Sequence, residues 1–308
     1  MEFSLSTSWN AFRHTSGKDL IFEIKNLGFS SVELSFNITQ SMVNDIALLV
    51  EQGEIKVSST HNYCPIPDEF SRSEALPDCF SLAAINQDER RKAVEYTKRT
   101  IDTAHKLHAQ AVVLHCGRVE MPDYTRRLIS LYQEKGRDSQ EFITLKTSMQ
   151  QDREAKARLF FENALQSLDE LNQHARIRKI RLGIENRFYA REIPSWQETI
   201  QIFERFKDSQ LYYWHDVGHA YIMEKLGLVE PEAHLKQFSP MVGGIHLHDI
   251  ADFKDHCPPG QGEFDFSTLT PHIKNNTLAV IEAHHPAKSL DVQASVAFLN
   301  KFGYGTDH

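Results

Sequence analysis

The segment IRLGIEN, residues 180–186, is a largely apolar run with a carboxylate near its end, and the same pattern returns three times further along the chain. The later runs are QLYYWHD (210–216), GGIHLHD (243–249) and LAVIEAH (278–284). Each run is short and apolar on consecutive positions, which is typical of parallel strands covered on both faces. Because polar residues end all four runs, the pattern predicts an α/β protein whose site lies at the carboxyl edge of a parallel sheet.

Four more strand-like runs precede these, at residues 3–9, 30–36, 55–60 and 111–116. Amphipathic stretches that predict helices follow the eight strands, at 18–27, 40–52, 88–108, 151–174, 195–206, 219–238 (in two pieces), 267–274 and 288–302. Eight strands with a helix after each predict one (β/α)₈ TIM barrel domain over residues 1–308. The doubly wound alternative usually has a glycine-rich turn after its first strand, whereas residues 9–17 contain a single glycine, Gly17.

The chain is longer than the roughly 250 residues of a typical barrel, and two connections hold the surplus. The fourth and fifth strands are far apart, which predicts a helical insertion at about residues 117–155. A second long connection, 61–87, contains three prolines. Both follow strand carboxyl ends, so both are predicted to lie on the catalytic face of the barrel.

Composition excludes several classes of protein. The net charge of −8 and the pI of about 6.1 disfavour a nucleic-acid or anionic-membrane partner. No apolar run approaches a membrane span, and the amino terminus lacks a signal-peptide pattern. The four cysteines form no CxxC pair, which favours free thiols and a cytoplasmic location. Assembly as a homo-oligomer stays open.

Four strand-end residues, Glu185, Asp216, His246 and Glu282, follow one another at intervals of about one strand–helix unit. In a barrel this spacing brings them together at one mouth. A histidine at a strand end is often only hydrogen-bonded structure, but three converging carboxylates would repel one another without a cation. The set therefore predicts a divalent metal ion, with Mn²⁺, Mg²⁺, Co²⁺, Fe²⁺ and Zn²⁺ all suited to its oxygen and nitrogen donors.

Further polar residues stand near the same strand ends. Four histidines are candidates for a second metal or for substrate contacts: His61, His115, His219 and His256. Arg187 lies two residues after Glu185 on the same strand face. It would either anchor a substrate anion or pair with a neighbouring carboxylate.

Seven segments resemble the xylose isomerase-like barrel superfamily, which includes sugar phosphate isomerases and epimerases, ketose 3-epimerases and endonuclease IV. They are GFSSVELS (28–35), VVLHCG (112–117), GIENR (183–187), HDVGHA (215–220), GIHLHD (244–249), DHCPPGQGEFDF (255–266) and VIEAHH (280–285). The resemblance implies that Glu185, Asp216, His246 and Glu282 are the shared metal ligands. It also implies that Glu185 and Glu282 act as an acid/base pair.

The endonuclease IV branch binds three zinc ions with nine ligands, of which this chain matches eight: His61, His115, Glu185, Asp216, His219, His246, His256 and Glu282. The ninth position, an aspartate in the family, falls on Lys254 here. Asp249, Asp252 or Asp255 would have to substitute for it. One metal ion, or two, is therefore expected.

The function expected from the resemblance is metal-dependent isomerisation or epimerisation of a small-molecule sugar or sugar phosphate through an enediolate. The rival is an endonuclease IV-like zinc phosphodiesterase that acts on abasic DNA, which the acidic net charge disfavours. A third reading is a barrel that only binds a ligand. The carboxylate and histidine set argues against this third reading.

Overall fold

The computed structural model describes residues 2–304, in which eight parallel strands close into a barrel. The barrel strands are β1 (Phe3–Ser6), β2 (Ser31–Leu34), β3 (Lys56–His61), β4 (Ala111–Leu114), β5 (Arg181–Glu185), β6 (Leu211–Asp216), β7 (Val242–Leu247) and β10 (Leu278–Ile281). An antiparallel hairpin, β8 (Asp249–Ala251) with β9 (Lys254–Cys257), lies between the last two. Strand order is β1, β10, β7, β6, β5, β4, β3, β2. This confirms the expected (β/α)₈ architecture.

The helices surround the barrel, and their bounds correct the sequence prediction in two places. They are α1 (Gly17–Asn26), α2 (Gln40–Glu51), α3 (Gln87–Lys106), α4 (Tyr124–Lys135), α5 (Gln140–Arg178), α6 (Trp196–Arg205), α7 (Val217–Lys225), α8 (Ala233–Phe238) and α9 (Ser289–Asn300). The stretch 219–238 does form two pieces. The helix predicted at 267–274 is wrong: only a short 3₁₀ turn, Phe266–Leu269, forms there, because Pro271 disfavours helical backbone at the residue before it.

The helix predicted at 151–174 is instead the second half of α5, which runs unbroken for 39 residues. Ser139 caps its first turn by accepting a hydrogen bond from the Phe142 backbone N–H. The segment contains neither glycine nor proline, so nothing in it stops the helix. The first half of α5 packs on α4, outside the barrel. For this reason the apolar face that α5 turns to the barrel does not continue through its first half.

Small residues around Trp214 allow the barrel interior to be filled below the mouth. Trp214 on β6 is 1% exposed, and a Cβ added to Gly183 on β5 would lie 2.6 Å from its ring. A Cβ added to Gly244 on β7 would lie closer still, 2.1 Å from the indole. Only glycine at these two positions leaves room for the ring. The indole therefore lies directly below the side chains that come two residues later on each strand.

The cysteines and the helices agree with the compositional expectations. Cys64, Cys79, Cys116 and Cys257 are all free. Among residues 2–304, no helix is both long and apolar enough to cross a membrane.

Candidate metal centre

The four strand-end residues proposed as metal ligands converge at the mouth of the barrel. Donor atoms of Glu185, Asp216, His246 and Glu282 all lie within 4.8 Å of one another, and all four side chains are buried. Nδ1 of His246 is 2.7 Å from Oε1 of Glu185 and 3.0 Å from Oε2 of Glu282. Oδ2 of Asp216 lies 3.6 Å from the same nitrogen. Three carboxylates therefore surround one imidazole nitrogen.

Strand parity explains why these residues meet. Side chains two positions apart on a strand face the same side, so Asp216 lies directly above Trp214, and Glu185 lies above Gly183. Asp216 has a second role, because its Oδ1 accepts a hydrogen bond from the His219 backbone N–H at 2.7 Å and caps α7. The cap fixes one oxygen and leaves Oδ2 turned towards His246.

The electrostatics of the cluster fit a bound cation. Burial raises the pKa of Glu185, Asp216 and Glu282, but neighbouring histidines outweigh it and hold each pKa well below the usual range. Burial lowers the pKa of His246, whereas Glu282 and Glu33 raise it well above the usual value. One imidazolium charge does not balance three carboxylates, of which only Glu185 also pairs with an arginine, Arg187. A divalent ion in place of the imidazolium charge can do so, and the donor set of oxygens and one nitrogen suits Mn²⁺, Mg²⁺, Co²⁺, Fe²⁺ or Zn²⁺.

Glu33, at the end of β2, belongs to this centre and was not predicted from the sequence. Its side chain is fully buried, and its Oε1 lies 3.1 Å from Nε2 of His246. Ser59 donates a hydrogen bond to its Oε2 at 2.7 Å. A signal was present: Glu33 stands inside the apolar run SSVELSF, as Glu185 stands inside IRLGIEN, and a buried carboxylate is costly without a partner.

His61 and His115 both turn a ring nitrogen towards Oε2 of Glu185, the oxygen that does not face His246. Oε2 of Glu185 lies 2.6 Å from Nε2 of His115 and 3.9 Å from Nε2 of His61. The outer nitrogens face the protein: Nδ1 of His61 donates to the Asn62 carbonyl at 3.0 Å, and Nδ1 of His115 lies 3.3 Å from Asp78. Both Nε2 atoms are thus turned towards the same carboxylate, and the three residues form a group that can hold an ion.

His219 and His256 form a comparable group with Asp216. Nδ1 of His219 donates to the Asn186 carbonyl at 3.0 Å. Nδ1 of His256 lies 3.1 Å from Asp255, and its Nε2 lies 3.6 Å from Oε2 of Glu282. The fold therefore brings all eight predicted histidine and carboxylate residues to one mouth.

Two more histidines stack on His256. Ring centroids of His248 and His256 are 4.2 Å apart, and those of His256 and His284 are 3.8 Å apart with planes at 12°. His248 also lies 2.9 Å from Asp216. Lone pairs of nearly parallel stacked rings point along separate planes and cannot converge on one ion. His256 and His284 therefore cannot both bind the same metal in this arrangement.

Arg187 makes carboxylate contacts on both sides of its guanidinium. Nη1 lies 2.8 Å from Oε2 of Glu185, and Nη2 lies 2.8 Å from Oε1 of Glu192. Burial lowers the pKa of Arg187, but Glu192, Asp78 and Glu185 raise it above the usual value. The side chain is 5% exposed, so the pairing with carboxylates accounts for its position.

Lys254 occupies the position of a family metal ligand, and the three aspartates that could substitute for that ligand differ in their contacts. Asp249 accepts backbone hydrogen bonds from Gly260 and Phe264, at 2.9 and 3.0 Å, and so organises the PPGQGEF turn. Asp252 pairs with Gln133, away from the centre. Asp255 alone of the three approaches the histidines, with Oδ2 4.0 Å from Nε2 of His219.

Solved structures similar to this chain include several sugar epimerases. The 3-keto-D-glucoside 4-epimerase YcjR from E. coli superposes with a TM-score of 0.68 at 14% identity, over 98% of this chain and 99% of that one. D-Psicose 3-epimerase from Clostridium cellulolyticum H10, solved with D-tagatose, gives 0.66 at 12% identity over 98% and 99%. The protein IolI, solved with a zinc atom, gives 0.66 at 12% identity over 98% and 96%.

At these identities the structural matches establish the fold only. No curated protein sequence matches the chain. The sequence model of the xylose isomerase-like TIM barrel family, however, matches residues 21–302, nearly the whole chain. Together with the closed barrel, this match shows that the chain belongs to the xylose isomerase-like TIM barrel family.

Proposed function

We propose that this protein is a divalent-metal-dependent isomerase or epimerase of a sugar or sugar phosphate. The observation that carries the proposal is the position of two glutamates, Glu185 and Glu282, which approach Nδ1 of His246 at 2.7 and 3.0 Å from different strands. In the barrel, β6 and β7 separate β5 from β10, so the two carboxylates approach from two sides. The fold shared with sugar epimerases supports the same reaction class.

Glu185, Asp216, His246 and Glu282 would hold the ion. A bound divalent ion would supply Lewis-acid polarisation of a substrate carbonyl and its neighbouring hydroxyl. The low pKa of both glutamates keeps them ionised at neutral pH, which a general base requires. One glutamate would take the proton from the carbon beside the carbonyl, giving an enediolate. The other would return a proton to the opposite face, or to the neighbouring carbon.

The two glutamates are unequal in their freedom to move a proton. Oε2 of Glu185 lies 2.6 Å from His115 and 2.8 Å from Arg187. Oε1 of Glu282 lies 3.7 Å from His284, beyond hydrogen-bond distance. We therefore assign the first proton abstraction to Glu282, while His219 and His256 would hold substrate hydroxyls.

A second metal ion is the main alternative use of the flanking histidines. The two oxygens of Glu185 face different groups, Oε1 towards His246 and Oε2 towards His115, which suits a carboxylate bridging two ions. This arrangement favours the second candidate function, an endonuclease IV-like zinc phosphodiesterase. The net charge of −8 weighs against it, since duplex binding relies on cationic contacts to phosphates.

Solvent deuterium exchange distinguishes the two reactions. Protein loaded with Mn²⁺ or Co²⁺ and incubated with ketoses and their phosphates in D₂O should place deuterium on the carbon next to the carbonyl. Glu282→Gln and Glu185→Gln keep a coordinating oxygen but no basic carboxylate, so each should slow exchange by about 10²–10⁴-fold. Glu170→Gln, which changes an exposed carboxylate of α5 that pairs with Arg90 of α3, is the matched control. Cleavage of an abasic duplex, with no exchange across the panel, would contradict the proposal.

A further inference from the structure

We propose that Glu33 is a positioning residue that holds His246 with Nδ1 turned to the metal centre. The inference rests on the proposed metal centre, but it does not depend on which reaction occurs there. Glu33 itself lies behind the imidazole, on the side away from Glu185 and Glu282, and acts only through His246.

The ring nitrogens of His246 have separate environments. Nδ1 lies between Glu185 and Glu282, at 2.7 and 3.0 Å. Nε2 lies 3.1 and 3.3 Å from the two oxygens of Glu33. A neutral imidazole carries one N–H, and only its other nitrogen has a lone pair for a metal. If Nδ1 is the ligand, Nε2 must carry the proton, and Glu33 is placed to accept it.

Glu33 is itself held in place. It pairs in register with Ser59 on the neighbouring strand, and the Ser59 hydroxyl donates to its Oε2 at 2.7 Å. Glu33, Ser59 and His246 are all 0% exposed, so water does not compete for these bonds. A buried carboxylate that accepts a hydrogen bond from a metal-binding histidine fixes the orientation of the ring and makes the metal-facing nitrogen more basic. Losing such a partner costs about 10–100-fold in metal affinity.

The test is a titration of metal-free, full-length protein with Co²⁺ alone, read by its dissociation constant and by the visible spectrum of the bound ion. Glu33→Gln retains an acceptor for Nε2–H but not the charge, and it should weaken binding about tenfold. Glu33→Ala removes the acceptor and should weaken binding towards a hundredfold. Asp102→Asn, which alters a carboxylate–imidazole pair between α3 and α5 (Asp102 with His174, 2.8 Å), should leave affinity and spectrum unchanged.

The outcomes separate this proposal from the function. If Glu33→Gln, which keeps the side-chain volume, and Glu33→Ala both bind Co²⁺ within about twofold of wild type with the same spectrum, the positioning role is overturned and the metal centre stands. If wild-type protein binds no divalent ion, the centre and the positioning role both fail. A loss of Co²⁺ affinity that is larger for Glu33→Ala than for Glu33→Gln supports the proposal. A purely structural role would lower the stability of both variants without ranking their metal affinities in this order.

Discussion

Five histidines that present one ring nitrogen to the candidate metal centre have the other ring nitrogen next to a protein oxygen. The oxygens belong to the carbonyls of Asn62 and Asn186, for His61 and His219, and to the carboxylates of Asp78, Glu33 and Asp255, for His115, His246 and His256. Where this contact is a hydrogen bond, at His61, His219 and His246, it selects the tautomer and the ring orientation before any ligand arrives. The centre is therefore preorganised by the protein itself.

His234 on α8 shows the opposite case, a histidine that the fold keeps neutral. It is 5% exposed, its Nδ1 has no hydrogen-bond partner, and burial lowers its pKa to about 4. Between about pH 6.5 and pH 4 the unfolded chain binds this proton and the folded chain does not. Stability should therefore fall as the pH drops through this window, by up to about 3 kcal/mol from this group.

The measurement is the free energy of unfolding against pH in the presence of chelator. His234→Phe removes the titration and should make the acid limb shallower than in wild type. His105→Gln, at an exposed position on α3, serves as the control and should leave the slope unchanged. Parallel acid limbs for wild type and His234→Phe would show that the buried histidine is protonated in the folded state.

At the residue scale, the sequence prediction took its site residues from carboxylates at the ends of apolar strands, and it used this pattern only in part. Glu185 and Glu282 were identified in this way, and the strands do bring them together. Glu33 was missed although it stands in an equivalent run, and Asp78 was missed because it lies in an irregular connection. Neither the ring-nitrogen partners nor the stacking of His256 on His284 has any signature in residue spacing.

At the scale of elements, α5 holds the loop that follows β5. Arg153 of α5 donates to the carbonyls of Ala190 and Glu192, at 2.7 and 3.0 Å. It also pairs with Glu198 on α6 at 2.7 Å. Because Glu192 in turn contacts Arg187 beside Glu185, the long helix supports the metal centre indirectly.

Arg153→Ala should lower the free energy of unfolding by about 3 kcal/mol or more, because it leaves the buried carboxylate of Glu198 without a cationic partner. Denaturant unfolding measures the loss, and hydrogen exchange should become faster in residues 187–192. Arg158→Ala removes an exposed pair on the same helix (Arg158 with Glu162) and should cost less than about 1 kcal/mol. Equal effects of the two changes would mean that Arg153 does not anchor the loop.

The errors at this scale have physical causes. The predicted helix 267–274 ignored Pro271, and only Phe266–Leu269 forms a turn. The helix predicted at 151–174 begins at residue 140 instead, because residues 140–150 form one continuous helix with it and pack on α4. The hairpin of β8 and β9 was not predicted, because its residues are mostly polar and its pairing is short.

At the scale of the molecule, the barrel turns residues far apart in sequence into one cluster. Glu33 and His246 lie on β2 and β7, and contact across the mouth. Eight strand-like runs, each followed by a helix, were enough to predict the closed barrel. The spacing of the strand-end residues then predicted that they converge, because parallel strands in a barrel all end at the same mouth. The number of bound ions and the identity of the substrate depend on distances between side chains of different strands. The spacing of residues along the sequence does not encode these distances.

The proposed divalent metal centre consists of Glu185, Asp216, His246 and Glu282. Its most direct test is the metal content of protein purified without chelator, then stripped and reloaded, with native mass spectrometry counting the ions per chain. Wild type should bind at least one ion, and Asp216→Ala and His246→Ala should each lose it, because removing one of four ligands removes both charge and geometry. Metal retained at wild-type stoichiometry in both variants, or no ion bound by reloaded wild type, would contradict the account.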